Sequence, residues 1–191
     1  MESDRDFTYG PVGATNPADP NWAARVPGFR RFETTTILSD GRPTNGDRTT
    51  SGDRMTSSIW NRATEELLTW GIKRRSGFRV APLDTPDLRV SPGANFRITA
   101  AMGPIAIHEP IRIVAVVDTP DRAAFSYGTL PGHPVSGEEA FILHRADDNS
   151  ILLTLRSLTS PAPNGVWRTA FPLLLVAQRH YRRRYLRALT P

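Results

Sequence analysis

The sequence predicts an α+β fold of the helix-grip type, in which a curved antiparallel sheet wraps around one long C-terminal helix. One observation is a run of about six short segments between residues 77 and 158 in which apolar and polar residues alternate with the period of a β-strand. A second is the turn chemistry between them, because links this short favour antiparallel pairing. A third is the amphipathic segment near the C-terminus, which supplies the apolar stripe that such a sheet needs to bury its inner face.

The first part of the chain predicts an arm, a strand and a loop. Residues 1–28 contain glycine and proline too often for a helix and predict an ordered arm across the domain, anchored by Phe7, Tyr9, Trp22 and Phe29. Residues 29–38 are rich in aromatic and β-branched side chains and predict the first strand. The polar, turn-forming residues 40–54 predict a mobile loop.

A helix is predicted over residues 56–70. Three hydroxyl residues, 56–58, offer N-caps, and four apolar residues then recur on one face, namely Ile59, Ala63, Leu67 and Trp70. Gly71 follows directly, so the helix is predicted to end with this glycine in the left-handed conformation.

The second half of the chain predicts the rest of the sheet and the closing helix. Strands are predicted at 77–80, 95–98, 110–117, 123–128, 138–144 and 150–158. The proline-rich residues 160–165 break the sheet, and the final helix begins near Pro172, which suits a first helical turn, and ends near Leu189. Its apolar stripe consists of Leu174, Ala177, Tyr181, Tyr185 and Ala188. No repeat is visible, so residues 1–191 predict a single domain.

Composition excludes several classes of protein. The chain has 191 residues, of which 39% are hydrophobic and none is cysteine. The absence of cysteine excludes disulfides and thiol nucleophiles and is typical of a cytoplasmic protein. No apolar run approaches the roughly 18 residues of a membrane span. The charged first residues lack the apolar stretch of a signal peptide, so we predict a cytoplasmic location.

No motif in the sequence indicates a metal or a cofactor. The four histidines, His108, His133, His144 and His180, show no spacing of metal ligands. A glycine-rich phosphate loop and a GxSxG nucleophile motif are also absent from the sequence. We therefore predict no cofactor and no metal.

Charge is distributed unevenly along the chain. Seven arginines and no acidic residue follow Asp148, so that residues 149–191 carry a formal charge of +7 and the rest of the chain −2. Lys73 is the only lysine, a bias typical of a GC-rich genome. The stripe of Arg179, Arg182, Arg183 and Arg187 could hold nucleic acid or an anionic lipid surface. Because no aromatic platform accompanies it, we interpret it as a solvated helix face and rank nucleic-acid binding last.

Several strings of the sequence are distinctive. They are FTYGPVGATNP at 7–17, VPGF at 26–29, FSYGTLPGHPVSGEEAF at 125–141, and Gln178 with Tyr181 and Arg184. Together they resemble, over nearly the whole chain, a family of plant and bacterial proteins known only as a domain of unknown function. YGTLPGHP at 127–134 is the most specific string. The resemblance implies a single-domain protein related to START-like ligand-binding folds, and it supplies no reaction. The chain departs from the family's pattern at 40–54 and 160–167, which bears on the pocket entrance.

The segment 127–139 concentrates the candidate catalytic groups. Glycine and proline hold His133 at the tip of a turn, where an imidazole can act as acid, base or hydrogen-bond donor. The alternative is that this imidazole caps the turn by bonding to backbone. Glu138 and Glu139 are neighbours on a predicted strand and must point to opposite faces, but the sequence does not decide which of them faces inward.

An inward glutamate would have its pKa raised by burial unless a cation faces it, which is how a carboxyl becomes a general base. The alternative is a salt bridge to a strand arginine, either Arg112 or Arg156. His108 and Glu109 could supply a second acid–base pair, but we interpret them as an exposed pair at a strand end.

The predicted fold and candidate residues favour two functions of different classes, ligand binding and catalysis. We predict a protein that binds a small, largely apolar organic molecule between the sheet and the C-terminal helix. The rival is a cofactor-free cyclase, dehydratase or isomerase, with Glu139 or His133 as base, Tyr127 as hydrogen-bond donor and Arg112 as charge partner. The predicted ligand-binding residues are Trp70, Phe96, Arg112, Ile113, Phe125, Tyr127, Phe141, Leu155, Leu174, Gln178 and Tyr181. The sequence leaves the oligomeric state undetermined.

Overall fold

The strands form a single seven-stranded antiparallel sheet in the order β1-β7-β6-β5-β4-β3-β2. A computed structural model describes residues 6–40, 50–102 and 105–189, and the side chains of residues 50–55, 102 and 105 are outside this description. The strands are β1 Arg30–Ser39, β2 Phe78–Pro82, β3 Asn95–Met102, β4 Ile105–Asp118, β5 Arg122–Thr129, β6 Val135–Arg145 and β7 Ile151–Pro161. The helices are α1 Thr50–Leu68, α2 Gly71–Arg75, α3 Val166–Thr169 and α4 Phe171–Tyr185.

This architecture confirms the predicted fold class, a curved sheet that holds a C-terminal helix on its concave face. The pairing is antiparallel throughout, and the links between consecutive strands from β3 to β7 are too short for a crossover helix. Register shifts at Ile37/Ser39 and Ile113/Ala115 mark bulges, which increase the local bend of a strand. The first strand of the sequence, β1, pairs with the last, β7. The edges of the sheet are therefore β1 and β2.

The inner face of the sheet carries the main core. Its largest fully buried side chains are Trp70, Phe96, Phe125 and Phe141. The indole of Trp70 lies 5.1 Å from the ring of Phe96 and 4.9 Å from that of Phe125, in tilted and edge-on geometries. The core is therefore continuous from the end of α1 across the middle of the sheet.

Two details of the first helix correct the sequence-based expectation. The helix begins at Thr50, so the last part of the loop predicted at 40–54 is helical, while residues 41–49 lie outside the described residues. At the other end, Trp70 and not Gly71 adopts the left-handed conformation, with φ 66° and ψ 18°. Gly71 instead opens α2, where a Cβ would lie 2.6 Å from the Glu66 carbonyl oxygen. Burial of the indole holds Trp70 in a conformation that its residue type does not favour.

The final helix is interrupted. The single turn α3 precedes α4, and Pro172 lies in the first turn of α4 as predicted. Tyr185 is the fully buried residue of α4, whereas Leu173 and Val176 are exposed by 75% and 70% of their surface. The helix thus touches the sheet mainly through its C-terminal half, and space remains beside its N-terminal half.

The N-terminal segment packs on the outer face of the sheet. Trp22 is buried there between the guanidinium groups of Arg31 and Arg156, which lie 4.1 Å and 5.3 Å from its ring centroid. Its indole N–H donates to the Ala14 carbonyl at 2.7 Å, and Arg122 Nε donates to the Pro17 carbonyl at 2.7 Å. The arm is therefore fixed by contacts to strands that are distant in sequence.

Candidate functional site

A cavity of about 100 Å3 lies between α4 and the inner face of the sheet. That volume is several times what one water molecule needs, since a single water requires on the order of 10–15 Å3. Apolar and aromatic side chains form much of the wall, among them Phe78, Ala100, Ile107, Leu174, Ala177 and Tyr181. The other titratable and amide residues of the wall are Lys73, Glu109, Tyr127, His133, Glu138, Glu139, Gln178 and Tyr185, and hydroxyl residues are present at Thr129, Ser136, Ser157 and Thr159. An apolar chamber with a few converging polar groups is the usual form of a small-molecule site.

Four of these polar groups form one buried network. Lys73 Nζ donates to Glu139 Oε2 at 2.9 Å and to the Tyr185 hydroxyl at 2.8 Å. The Tyr127 hydroxyl donates to the same Glu139 oxygen. Lys73 and Glu139 expose only 3% and 9% of their surface, so the ion pair is shielded from water. Aromatic rings surround the ammonium, and the ring centroid of Tyr185 lies 4.5 Å from Nζ.

The network fixes the charge states of its members. Burial would raise the pKa of Glu139, but the Lys73 ammonium and the hydrogen bonds from Tyr127 and Lys73 outweigh it and hold the pKa below its usual value. Burial would lower the pKa of Lys73, but the charge of Glu139 and its other neighbours outweighs it and raises this pKa. Lys73 is thus a permanent cation and Glu139 a permanent anion around neutral pH. A protonated Lys73 can donate hydrogen bonds but cannot act as a nucleophile.

Glu109 is the second carboxyl group of the cavity. Burial raises its pKa from 4.5 to about 7, with the charge of Lys73 opposing the shift and that of Glu139 adding to it. This position corrects the interpretation of His108 and Glu109 as an exposed pair. His108 is exposed and contacts Thr99, whereas Glu109, the next residue on β4, faces the opposite side of the strand and lines the cavity.

His133 reaches the cavity wall but is held by its own turn. Its Nδ1 lies 2.9 Å from the Val135 carbonyl oxygen and 3.1 Å from the Val135 nitrogen, and its backbone N–H donates to the Leu130 carbonyl at 3.1 Å. Burial lowers the pKa of this imidazole from 6.5 to about 3, so it is neutral around pH 7. These contacts are those of an imidazole that caps its own turn by bonding to backbone. A histidine with so low a pKa does not suit the role of general base at neutral pH.

The two adjacent glutamates of β6 have separate partners. Glu139 faces the cavity, while Glu138 faces the N-terminal arm, which resolves the alternative left open by the sequence. Tyr9 Oη and the Gly13 N–H donate to Glu138 Oε2 at 2.8 Å and 2.7 Å, and the N–H and hydroxyl of Thr15 donate to Oε1. The salt bridges to Arg112 or Arg156 that were weighed for these glutamates are not formed, because those arginines pair with Asp6 and Glu33.

The distinctive strings 7–17 and 125–141 meet where the N-terminal arm packs on the sheet. Gly128 lies under the arm, and a Cβ there would come within 2.7 Å of the Phe7 ring and closer still to the Tyr9 hydroxyl. At Gly137, where φ is +141°, a Cβ would collide with the Leu158 carbonyl. The glycines of 125–141 therefore allow close packing of arm and sheet, and only part of that string lines the cavity.

The structure divides the predicted ligand-binding residues into three groups. Tyr127, Leu174, Gln178 and Tyr181 line the cavity, as do the predicted catalytic residues His133 and Glu139. The structure places six others in the packed core and not on the cavity wall: Trp70, Phe96, Ile113, Phe125, Phe141 and Leu155. Aromatic and aliphatic residues at strand spacing look alike in sequence whether a neighbour or a cavity faces them.

Arg112 also lies away from the cavity. It lies on the outer face of β4, where its guanidinium contacts Asp6 at 3.2 Å and the Asn95 side chain at 2.9 Å. Register explains this, because Arg112 alternates with Ile111 and Ile113, which both face the core. It is therefore unavailable as a charge partner inside the cavity.

Lys73 and Tyr185 were not among the predicted site residues, and Glu109 was considered only as part of an acid–base pair with His108 that was interpreted as exposed. Lys73 carried one usable signal, since it is the only lysine in a chain that otherwise uses arginine. Arginine is a larger, planar fork and does not substitute for a compact ammonium in an enclosed site. The proximity of Glu109 to His108 in sequence did not show which of the two faces inward, and Tyr185 carried no signal beyond its place in the apolar stripe of the final helix.

The arginines of α4 are only partly a solvated face. Arg179, Arg183 and Arg187 are exposed. Arg182 instead turns toward the sheet, where its guanidinium lies 3.8 Å from the Phe32 ring centroid and donates to Ser157 Oγ at 2.8 Å.

No helix among the described residues is long and apolar enough to cross a membrane. Within the described ranges no group of three or more histidine or acidic side chains could hold a metal ion.

These features define an α+β helix-grip protein with a cavity between its sheet and its C-terminal helix. The chain belongs to the DUF1990 family, a domain of unknown function, whose model matches residues 8–188. It is similar to a UPF0548 protein of Deinococcus radiodurans, with 45% identity over 78 residues, which are 41% of this chain and 39% of that protein. The aligned part thus spans about two fifths of that relative's length.

Solved structures share the fold at low sequence identity. A hypothetical protein of Helicobacter pylori, jhp0584, has a TM-score of 0.56 at 10% identity, covering 86% of this chain and 89% of that one. The ZhuI aromatase/cyclase of Streptomyces sp. R1128 has a TM-score of 0.56 at 14% identity, covering 84% and 91%. Identities this low establish the common fold alone.

Proposed function

We propose that this protein binds a small, largely apolar organic molecule in the cavity between the sheet and α4. The observation that carries the proposal is the buried pair of Lys73 and Glu139 on the wall of an otherwise mainly apolar chamber. Burying two charges costs more than packing apolar residues in the same volume. A charged pair at a cavity wall, with two tyrosines oriented on it, is therefore an arrangement suited to orienting a polar group of a ligand.

The chemistry of the wall defines the ligand's buried part. Lys73 and Glu139 neutralise one another, so the deep end of the cavity favours a neutral group that can accept from an ammonium or a phenol, such as a carbonyl or hydroxyl oxygen. Phe78, Tyr181 and Leu174 favour an apolar or aromatic body beside it. The similarity of the fold to an aromatase/cyclase is compatible with a ligand of this kind.

The test combines native mass spectrometry with a cavity-filling variant. Protein purified from its source is compared with the denatured mass, and then titrated with the neutral fluorescent probe N-phenyl-1-naphthylamine. We expect a bound mass that is lost on denaturation, and probe fluorescence that falls at least tenfold in Ala177→Phe, because Ala177 lines the cavity.

Val176→Phe is the matched control, since the preceding residue of α4 is 70% exposed and lies outside the cavity wall. It should leave probe binding unchanged. The proposal is wrong if no small molecule is carried and if Ala177→Phe binds the probe as well as the natural protein does.

A second candidate function rests on Glu109. This carboxyl group lines the cavity, forms no hydrogen bond to another described residue, and has a pKa of about 7. A carboxylate in that state can take a proton from a carbon next to a ligand carbonyl, and the Lys73 ammonium can stabilise the enolate oxygen that results. The role of base thereby passes from Glu139, which already holds Lys73 and Tyr127, to Glu109.

Deuterium exchange tests this candidate without knowledge of the natural substrate. Acetophenone and 1-tetralone are incubated with the protein in heavy water, and exchange next to the carbonyl is followed by NMR. We expect exchange above the buffer rate that falls at least tenfold in Glu109→Gln, with the affinity for N-phenyl-1-naphthylamine unchanged. Equal exchange in the variant and the natural protein, or none above buffer, would rule out proton abstraction by Glu109 from such ketones.

A further inference from the structure

A second concave surface adjoins the cavity. A groove of about 340 Å3 runs between the start of β1 and the outer side of α4, and four arginines line it, Arg30, Arg31, Arg179 and Arg182. Thr159 and Gln178 line both the groove and the cavity. The two spaces therefore share a wall, and a ligand in the cavity that passes this wall meets the arginines.

The groove carries positive charge with little compensation. No carboxylate is among its lining residues. Arg31 is paired with Glu33 at 2.8 Å, but Arg30 and Arg179 form no ion pair with a carboxylate of the described residues. Arg182 has neutral partners only, the Phe32 ring and the oxygens of Ser157 and Gln178. Arg30, Arg179 and Arg182 thus line one groove without a salt bridge to a carboxylate of the described residues.

The cavity and the groove favour ligand groups of different charge. Inside, Lys73 is already neutralised by Glu139, and Glu109 adds a second carboxyl, so an anion at the deep end would meet net negative charge. Outside, guanidinium forks match the geometry of carboxylate, phosphate and sulfonate oxygens. A molecule that satisfies both regions has a neutral apolar body and an anionic head.

We propose that the arginine groove is the head-group subsite of the cavity, and that the ligand is an amphiphilic anion whose apolar body lies between sheet and helix while its carboxylate, phosphate or sulfonate lies between Arg30, Arg179 and Arg182. This inference rests on the proposed ligand-binding function and adds the class of ligand to it. Arg182 links the two regions, because it lines the groove and its charge also acts on Glu139.

A matched pair of probes tests the subsite. N-phenyl-1-naphthylamine and 1-anilinonaphthalene-8-sulfonate share an aromatic body and differ by one sulfonate. We expect the natural protein to bind the sulfonate probe about tenfold more tightly than the neutral one, and raising the salt from about 0.05 M to about 0.5 M to reduce that preference. In Arg30→Gln/Arg179→Gln the preference should disappear while the neutral probe binds as before.

Arg62→Gln/Arg183→Gln is the charge-matched control, because it also removes two charges and both arginines are exposed and lie outside the cavity and the groove. It should change neither affinity. If the double variant keeps the preference for the sulfonate probe, the subsite is wrong even though binding of the neutral probe upholds the cavity. If the neutral probe fails to bind the natural protein, the proposed function itself is contradicted. A preference lost equally in Arg62→Gln/Arg183→Gln would mean that net charge alone attracts the probe, and would overturn the subsite.

Discussion

Glu138 and Glu139 are neighbours on β6, yet their carboxylates lie on opposite faces of the sheet and serve different parts of the molecule. Glu138 accepts hydrogen bonds from the N-terminal arm, and Glu139 accepts from Lys73 and Tyr127 at the cavity. Strand geometry alone enforces this division, because successive side chains alternate between faces. One dipeptide therefore couples the anchoring of the arm to the polar wall of the cavity.

The buried pair of Lys73 and Glu139 should be costly to break from one side. Lys73→Met removes the cation and leaves a buried carboxylate, so we expect a loss of about 3–5 kcal/mol in the free energy of unfolding. Lys73→Met/Glu139→Leu removes both charges and should recover at least half of that loss. Urea unfolding of Lys73→Met, Glu139→Leu, the double variant and the natural protein measures the difference. If the double variant is as unstable as the sum of its single changes, the two side chains do not form a coupled pair.

Glu109 should make stability fall as the pH rises between 4.5 and 7. Its folded-state pKa of about 7 lies above the ordinary 4.5, so the folded protein keeps a proton that the unfolded chain has lost in this window. The stabilisation is complete below pH 4.5 and is lost as the pH passes 7, with a span of up to about 3 kcal/mol. Glu109→Gln should remove this component from a pH series of urea unfolding. A carboxyl resonance of Glu109 that titrates near 4.5 in 13C NMR would contradict the prediction.

Glu138 should control the order of the N-terminal arm. Glu138→Ala removes an acceptor used by Tyr9, Gly13 and Thr15, and we expect about 2–4 kcal/mol of lost stability because charged acceptors make the stronger hydrogen bonds. Amide hydrogen exchange at residues 13 and 15 should become at least tenfold faster. Asp19→Ala is a control on the same arm, since that carboxylate accepts locally from the Asn21 N–H. Unchanged exchange at both residues in Glu138→Ala would show that other contacts hold the arm.

Gly128 should tolerate no side chain. Gly128→Ala places a methyl group against Phe7 and Tyr9, so either the arm moves or the strand shifts, and we expect a destabilisation of about 1–3 kcal/mol. Gly10→Ala is the control in the N-terminal arm itself, because a Cβ at Gly10 would have no atom within 4 Å. Thermal unfolding of both variants decides the question. Equal melting temperatures for Gly128→Ala and the natural protein would contradict the close approach of the arm.

The sheet was largely predictable because its signals are local. The period-2 pattern and the turn residues lie within each strand and each link, so all seven strands were found, with differences at their ends. Longer strands such as β4 extend beyond their apolar runs because pairing with β3 and β5 continues past them. The end of α1 was misassigned because packing of the Trp70 indole among Phe96 and Phe125 outweighed the conformational preference of glycine at 71.

The cavity residues were predictable only in part. Tyr127, Leu174, Gln178 and Tyr181 were found since they lie on faces that must meet each other in a helix-grip fold. Six core residues could not be separated from wall residues, because the pattern shows which face is apolar but not whether an atom fills the space in front of it. Lys73 lies 66 positions from Glu139, and no local pattern reports such a pairing.

The sequence by itself determined the class of fold, which residues of a strand share a face, and the alternation of Glu138 and Glu139. These follow from backbone periodicity and turn chemistry, which act over a few residues. Tertiary structure alone decided which glutamate meets Lys73, that Glu109 lies in a cavity with a pKa of about 7, and that arginines of β1 and α4 share a groove. Those properties depend on burial and on distances between segments far apart in the chain, and both arise only when the sheet closes around its helix.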